Sequence, residues 1–257
     1  MKKTGGKVKL GKKARILIYA LGIIFWVLVW YAAASLANRN LLLKIPLPLE
    51  TVKILISDLG SKTFWQSVLS SMGHIALGYI GALILGIALG LASGKSEIFK
   101  AFTSPVQHLV RAVPVAAFII IAWLWIPSGI LPSFISGLMV LPIIWSHTDA
   151  ALSSIDEKYI EMAKVYGMNG RDIVFKIKLP LMSPQLRTGC ITALGIAWKA
   201  GIAAEVICNP SGTLGALLQG AKASVEYGQV FSVTLMIVIL SLIFENILKI
   251  VWKEQKK

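Results

Sequence analysis

The sequence is poor in cysteine and histidine. Its 257 residues include two cysteines and three histidines, and no Cys/His cluster has metal-ligand spacing. Two cysteines are too few for a disulfide framework, and the scattered histidines predict no metal site. Cys190 and Cys208 lie in or beside apolar runs, so we expect them to be small, buried apolar side chains.

Charged residues are also scarce, and acidic residues most of all. Charged residues make up 15% of the chain, 56% of its residues are hydrophobic, and the mean hydropathy is +0.74. Average soluble domains are about 25% charged, so this composition excludes an ordinary soluble domain, and it also excludes a disordered chain. The 26 basic residues exceed the 12 acidic ones, which gives a net charge of +14. That balance suits either nucleic acid or the cytoplasmic side of a membrane protein.

Nucleotide-binding and catalytic motifs are incomplete. Positions 94–96 read Gly-Lys-Ser, but Leu89 stands where a phosphate-binding loop needs its first glycine, and an apolar run takes the place of the preceding strand. Ser, His and Asp within positions 146–149 point in different directions on a helix and do not form a relay among themselves. We therefore expect no catalytic residues, no enzyme activity and no cofactor in this chain.

Six apolar runs are long enough to cross a bilayer as helices, which takes about 20 residues each. The predicted spans are Ile16–Ala37, Val68–Ala92, Val106–Trp125, Ile130–Ala150, Pro184–Ile207 and Val230–Trp252. The first run is too long for the core of a signal peptide, so we predict a retained span. Pro114 interrupts the third run, and Pro48–Leu59 predicts a short amphipathic helix on the outer surface. The predicted fold class is an all-α membrane protein.

The basic residues fall mainly on one side of these spans. Of the 26, 20 lie in segments predicted to face the cytoplasm, five lie outside, and Lys199 lies within a span. The positive-inside rule then puts both termini in the cytoplasm and explains the net charge without nucleic acid. We divide the chain into a basic tail at 1–15, a transmembrane domain at 16–252 with a cytoplasmic loop at about 153–180, and a tail at 253–257.

Small residues recur every fourth position along the second predicted span. They are Gly78, Ala82, Gly86, Gly90 and Gly94. Residues four apart share one face of a helix, so this stripe predicts close packing against another membrane helix.

The cytoplasmic loop predicts a compact pair of helices. Ser154 and Glu157 fit a capping box that starts a helix near Ile155, and Gly167 is well placed to end it. Asn169 is placed to cap a second helix. The first helix carries an apolar stripe of Ile155, Tyr159, Met162 and Tyr166. Two interpretations fit, a helix lying on the lipid surface or a docking element for a cytoplasmic partner.

The same loop resembles the EAA loop of bacterial ABC importer permeases. That pattern is Glu-Ala-Ala, three residues, Gly, nine residues, Ile, one residue and Leu-Pro, and every spacing recurs here. The matching positions are Glu161, Met162, Ala163, Gly167, Ile177, Leu179 and Pro180, with Met162 in place of the first alanine. Pro180 also marks the predicted end of the second helix or its entry to the fifth span. The resemblance implies that this loop, with Tyr159 and Tyr166, docks an ATP-binding subunit.

Shorter motifs resemble the subgroup of these permeases that imports nitrate, alkanesulfonates, taurine and thiamine precursors. They are Pro46-Leu47-Pro48, Phe64-Trp65-Gln66, Arg-Ala-Val-Pro at 111–114, Trp198, and Ala204-Glu205. The resemblance covers roughly residues 16–252 and implies the architecture of a type I ABC importer permease in a bacterial inner membrane. It further implies a homodimer that forms the path, two partner subunits that bind ATP and Mg²⁺, an external binding protein, and a small anionic or heterocyclic solute.

Ionisable residues inside a span are costly and are candidate functional groups. The fifth predicted span holds Lys199 and Glu205. Lys199 is placed to attract an anionic solute or to form a structural ion pair, and Glu205 to order the outer gate or the following loop. We place Trp198 with them on the candidate translocation path, and we expect Arg111 to snorkel to the membrane surface.

Two other functions compete with an importer permease. A self-sufficient secondary transporter would need an ion relay at mid-membrane and usually inverted repeats, and the sequence shows neither. A membrane-embedded enzyme would need a nucleophile or a metal constellation, which the sequence does not offer.

Overall fold

A computed structural model describes residues 11–39 and 44–254, so the basic residues of positions 1–10 and the last three residues lie outside the described part. Within it, the regular structure is helical. In chain order the helices are α1 (Lys12–Ala37), α2 (Pro48–Leu59), α3 (Lys62–Lys95), α4 (Glu97–Ala112), α5 (Val115–Trp123), α6 (Leu131–Ser153), α7 (Glu157–Val165), α8 (Gly170–Asp172), α9 (Leu179–Cys208), α10 (Leu214–Ala223) and α11 (Tyr227–Glu254), with a π-helical segment, Ile173–Lys178, between α8 and α9.

Five helices of the described residues are long and apolar enough to cross a membrane, namely α1, α3, α6, α11 and the continuous helix from Gly170 to Cys208. The third predicted span, Val106–Trp125, is interrupted at Pro114 as predicted, but its predicted start is wrong. It begins at Glu97, and its two halves, α4 and α5, meet at a bend of 100°. Val113 has φ −79° and ψ 131°, because the ring of Pro114 disfavours helical conformation in the residue before it.

The pairing of α3 with α6 shows that α4 and α5 together make one crossing. The glycines of the small-residue stripe pack directly on α6, which confirms the predicted close packing. The pairs in contact are Gly78 with Ser133, Gly86 with Ile144, Gly90 with Thr148 and Gly94 with Leu152. Residue numbers rise together along both helices, so the two run parallel. The chain between them must therefore return across the membrane, which gives six crossings.

The long helix α9 runs antiparallel to both α3 and α6. The hydroxyl of Tyr79 on α3 donates to the carbonyl of Cys190 at 2.9 Å. The hydroxyl of Ser136 on α6 donates to the carbonyl of Ala197 at 3.2 Å. Gly189 lets α9 approach the ring of His147, where a β-carbon would overlap. The core of the protein thus consists of α3, α6 and α9.

The outer helices α2 and α11 are joined by a polar contact. The carboxylate of Asp58, at the end of α2, accepts hydrogen bonds from Gln229 at 2.9 Å and from Ser232 at 2.8 Å. Trp30 of α1 stacks on Phe231 of α11, with 5.8 Å between ring centroids. These contacts hold α1 and α2 beside the start of α11.

The helix that contains α9 does not break at its prolines. The fifth span was expected to start at Pro184, with an end or an entry at Pro180, yet the helix is continuous from Gly170 to Cys208. The π-helical segment lies just before Pro180, where the usual backbone bonding pattern is interrupted. Ser183 donates its hydroxyl to the Pro180 carbonyl at 3.0 Å, which satisfies the group that the missing N–H of Pro184 leaves free.

The structure also tests the predictions for the two cysteines and for Arg111. Cys190 and Cys208 are free and buried, as predicted. Arg111 does not snorkel, because its guanidinium donates to the carbonyl of Pro142 at 2.6 Å and braces α4 against α6.

Candidate functional site

The start of α7 differs from the predicted capping box. Its N-cap is Asp156, whose carboxylate accepts a hydrogen bond from the backbone N–H of Lys158 at 3.0 Å. Ser154 is instead the C-cap of α6, and its hydroxyl donates to the carbonyl of Ala151 at 2.9 Å. The membrane helix continues to Ser153, so Ser154 is no longer available to start α7.

Gly167 ends α7 as predicted. Its φ of +71° lies in the left-handed region that glycine adopts without strain. The N–H of Met168 bonds the carbonyl of Ala163 and the N–H of Gly167 bonds that of Lys164, both at 3.0 Å. This pair of bonds is the Schellman motif, which terminates helices and fixes the direction of the next segment.

The second helix of the loop begins at the predicted cap. The side chain of Asn169 accepts a hydrogen bond from the N–H of Asp172 at 2.9 Å. Lys176 pairs with Asp172 across one helical turn at 2.8 Å. From Gly170 the chain runs through α8 and the π-helical segment directly into α9, so the second part of the loop and the membrane helix form one continuous helix.

The apolar stripe of α7 faces away from the rest of the chain. Ala163 is 1% exposed and is the buried residue of α7, which packs on the π-helical segment. The large apolar side chains of this helix and its end are exposed, namely Tyr159, Met162, Val165 and Tyr166. Glu161, Leu179 and Pro180 are exposed as well, and Ile177 is partly buried. A cluster of exposed large apolar side chains outside the membrane helices is typical of a partner surface.

A second candidate surface is the uncovered side of α9. Lys199 is exposed there, and it has no acidic partner among the ion pairs of the described residues. Thr188 and Thr192 are also exposed, and a β-carbon added at Gly195 would meet nothing within 4 Å. We call the side formed by Thr188, Thr192, Gly195 and Lys199 the α9 polar face. Sequence reasoning found only Lys199, although the spacing of four, three and four residues was visible.

Glu205 is not on an open surface. Its carboxylate is fully buried and accepts hydrogen bonds from the hydroxyl of Ser71 at 2.6 Å and from the N–H of Gly215 at 3.2 Å. The Nδ1 of His74 lies 3.3 Å from its second oxygen. Glu205 thus joins the end of α9 to the segment that follows it, which agrees with one of the two roles that the sequence predicted. Sequence reasoning gave no signal for Ser71 or His74.

Trp198 is buried between α9 and α11. Its side chain is 3% exposed, its Nε1 donates to the carbonyl of Ile237 at 3.1 Å, and its ring makes an edge contact with Phe244. The indole therefore packs α9 against α11.

A metal or cofactor site has little support in the described residues. No group of three or more His, Cys, Asp or Glu side chains within them has the arrangement to hold a metal ion. Asp149, from the incomplete Ser-His-Asp set, pairs with Lys100 of α4 at 2.8 Å.

Comparisons with known proteins match most of this chain. The family model described as binding-protein-dependent transport system inner membrane component matches residues 82–256. The bicarbonate transport system permease protein CmpB of Synechocystis is 30% identical over 77% of this chain and 74% of its own length. The taurine transport system permease protein TauC of Escherichia coli is 26% identical over 84% of this chain and 80% of its own length.

The fold is also similar to that of a solved transporter structure. A chain of a bacterial alginate ABC transporter, solved with a periplasmic protein that carries an alginate pentasaccharide, superposes with a TM-score of 0.60. The superposition covers 92% of this chain and 93% of that chain, at 15% sequence identity.

Proposed function

We propose a coupled import mechanism for this chain, which belongs to the family of binding-protein-dependent transport system inner membrane components. The chain is a multi-pass permease subunit of an ATP-driven importer and not an enzyme. In the proposed mechanism, cytoplasmic subunits bind ATP and Mg²⁺ and dock on α7, and a binding protein delivers the solute on the opposite side. The family membership supports this mechanism over a self-sufficient secondary transporter.

The observation that carries the coupling proposal is the continuous helix from Gly170 to Cys208. Its first turn belongs to the loop that carries the exposed apolar stripe of α7, and its last residues reach the opposite membrane surface. Motion of a partner bound at α7 is therefore transmitted along one rigid element. We propose Glu161, Ala163, Gly167, Ile177, Leu179 and Pro180, with Tyr159, Met162 and Tyr166, as the residues of this coupling loop.

We propose that two copies of the chain enclose the path and that both termini lie in the cytoplasm. The α9 polar face is open on one side, so one copy alone does not surround a solute. The excess of basic residues on the side of α7 supports the orientation. The same division of charge supports the proposed cytoplasmic tails and the 16–252 membrane domain.

We propose that the solute is small and either anionic or heterocyclic. Two similar permeases are named for bicarbonate and taurine, which both carry an acidic group. The sequence motifs at 46–48, 64–66 and 111–114 support the same subgroup.

The importer reconstituted with its ATP-binding subunits and binding protein tests the docking proposal. A double variant, Met162→Asp with Tyr166→Asp, puts charge on the exposed stripe of α7 without touching a buried side chain. We expect normal membrane insertion and loss of co-purifying ATP-binding subunits. Lys158→Ala, an exposed change on the same helix away from the stripe, is the matched control.

Coupling is measured as solute uptake per ATP hydrolysed. Gly167→Arg is expected to insert normally and to lower this ratio, because arginine is strained at a φ of +71°. Wild-type coupling in both variants would contradict the proposed docking loop. Uptake by this chain alone in liposomes would contradict the ATP-driven mechanism and favour a secondary transporter.

A further inference from the structure

We propose that the α9 polar face is the anion-selective wall of the translocation path, with Lys199 as the group that attracts the anion. This inference rests on the proposed function and narrows its solute class, since a positive wall favours small anions over neutral heterocycles. It also assigns Thr188 and Thr192 to the path, which the sequence did not.

The four residues of the α9 polar face lie on the side of α9 that no other helix covers. They are spaced by four, three and four residues, so they project in similar directions. The other sides of α9 are occupied by α6 at Gly189, by α3 at Cys190 and by α11 at Trp198. The α9 polar face is thus the surface that α9 has available for a solute.

The composition of this face does not fit contact with lipid. Exposed positions on the neighbouring helix α3 are large and apolar, as at Leu77, Ile80 and Ile84. The α9 polar face instead has two hydroxyls, a glycine and an amine. Lys199 lies nine residues before Cys208, about 14 Å along the helix from its outer end, so it is far from either membrane surface. A charge at that depth is costly unless it faces water or a counter-charge.

Acidic residues of this chain do not supply that counter-charge. Beyond the first and last three residues of the described membrane helices, the acidic residues are Asp149, Glu205 and Glu245. Asp149 is paired with Lys100, and Glu245 with Lys249. Glu205 is fully buried and bonded to other groups.

In a second, identical copy the same three acidic residues have the same ion-pair and hydrogen-bond partners within their own chain. An ion pair between the copies therefore offers no counter-charge to Lys199. The amine stays uncompensated and makes the local potential positive, which concentrates small anions next to the two threonine hydroxyls. The hydroxyl of Thr192 is able to donate a hydrogen bond to an oxyanion as it passes, whereas the hydroxyl of Thr188 donates to the carbonyl of Pro184 at 3.1 Å.

Cysteine accessibility in the assembled importer tests this inference without knowledge of the solute. Gly195→Cys places a thiol one helical turn from Lys199, in open space. The probes are two methanethiosulfonates of similar size, one with a sulfonate and one with a trimethylammonium group. The native cysteines are buried, so the unsubstituted importer gives the background. Gly81→Cys on α3, a glycine with equally open surroundings among apolar side chains, is the matched control.

We expect Gly195→Cys to react with both reagents, faster with the anionic one, and Gly81→Cys to stay unreactive. Adding Lys199→Gln is expected to lower the ratio of anionic to cationic rates by about fivefold or more, the effect of one charge about 8 Å away even in water-like surroundings. Lys199→Arg is expected to keep the ratio. An inert Gly195→Cys, or a ratio unchanged by Lys199→Gln, overturns the inference. If coupled uptake persists in that case, the proposed function stands without it.

Discussion

The carboxylate of Glu205 accepts a hydrogen bond from the backbone N–H of Gly215, with 3.2 Å between the two atoms, although the residues belong to different helices. Ser71 of α3 donates to the same oxygen at 2.6 Å, and its own hydroxyl oxygen accepts the N–H of Leu214 at 2.9 Å. One buried acid thus joins α3, α9 and the start of α10. These hydrogen bonds fix the end of α9 that is remote from α7.

Replacing Glu205 is expected to separate its hydrogen bonding from its charge. Glu205→Gln keeps an acceptor for Gly215, whereas Glu205→Leu leaves the N–H of Gly215 and the hydroxyl of Ser71 without their buried acceptor. Each such group costs about 1–3 kcal/mol, so we expect a much lower melting temperature in detergent for the leucine variant than for the glutamine variant. Equal melting temperatures would contradict the role of Glu205 as a shared acceptor.

The packing of α3 on α6 is expected to be intolerant of a single methyl group. In Gly90→Ala the new β-carbon overlaps the side chain of Thr148 and the carbonyl of Trp145, and overpacking of this kind costs about 1–3 kcal/mol. Gly81→Ala on the same helix meets nothing within 4 Å and is the control. The melting temperature should fall for Gly90→Ala and not for Gly81→Ala. An equal fall in the melting temperatures of both variants would refute this packing.

The effect of a substitution at Gly167 on coupled uptake is expected to depend on whether the new residue tolerates the backbone conformation, and not on the size of its side chain. A β-carbon at this position meets nothing within 4 Å, yet its φ is +71°. Asparagine tolerates this conformation, while β-branched valine is strained by about 1–2 kcal/mol or more. Gly167→Asn should therefore retain uptake coupled to ATP hydrolysis and Gly167→Val should lose it. The two variants would behave alike if the glycine were needed only for space.

Trp198 is expected to affect stability and not solute selection. Trp198→Phe keeps most of the ring packing on Phe244 but removes the Nε1 donor, which leaves the carbonyl of Ile237 without its side-chain partner. A loss of about 1 kcal/mol in stability should appear as a small fall in melting temperature. Relative uptake rates of competing solutes should not change. A changed preference among solutes would indicate that Trp198 lines the translocation path.

Local features of this fold follow from the sequence because neighbouring residues decide them. The Asn169 cap and the Gly167 termination depend on residues within one helical turn, and both occur as predicted. The stripe from Gly78 to Gly94 predicts close packing because its four-residue period is visible in the sequence. Burial of Cys190 and Cys208 follows from the apolar runs around them.

Other features depend on distant parts of the chain. Ser154 satisfies a capping box, but α6 extends through Ser153 and changes the role of this serine. Pro114 predicts an interruption, although its 100° angle depends on how α4 and α5 pack on α6. The partners of Glu205 come from more than 130 residues earlier in the chain, at Ser71 and His74, so no local pattern reveals them.

The parallel arrangement of α3 and α6 has a consequence for biosynthesis. The glycine stripe of α3 enters the membrane long before its partner exists, because 35 residues separate Lys95 from Leu131 and those residues must first cross in the opposite direction. Until α6 follows, the stripe contacts lipid or other proteins of the insertion machinery. The most closely packed helix pair of the protein is therefore assembled late, by lateral association of helices that were inserted separately.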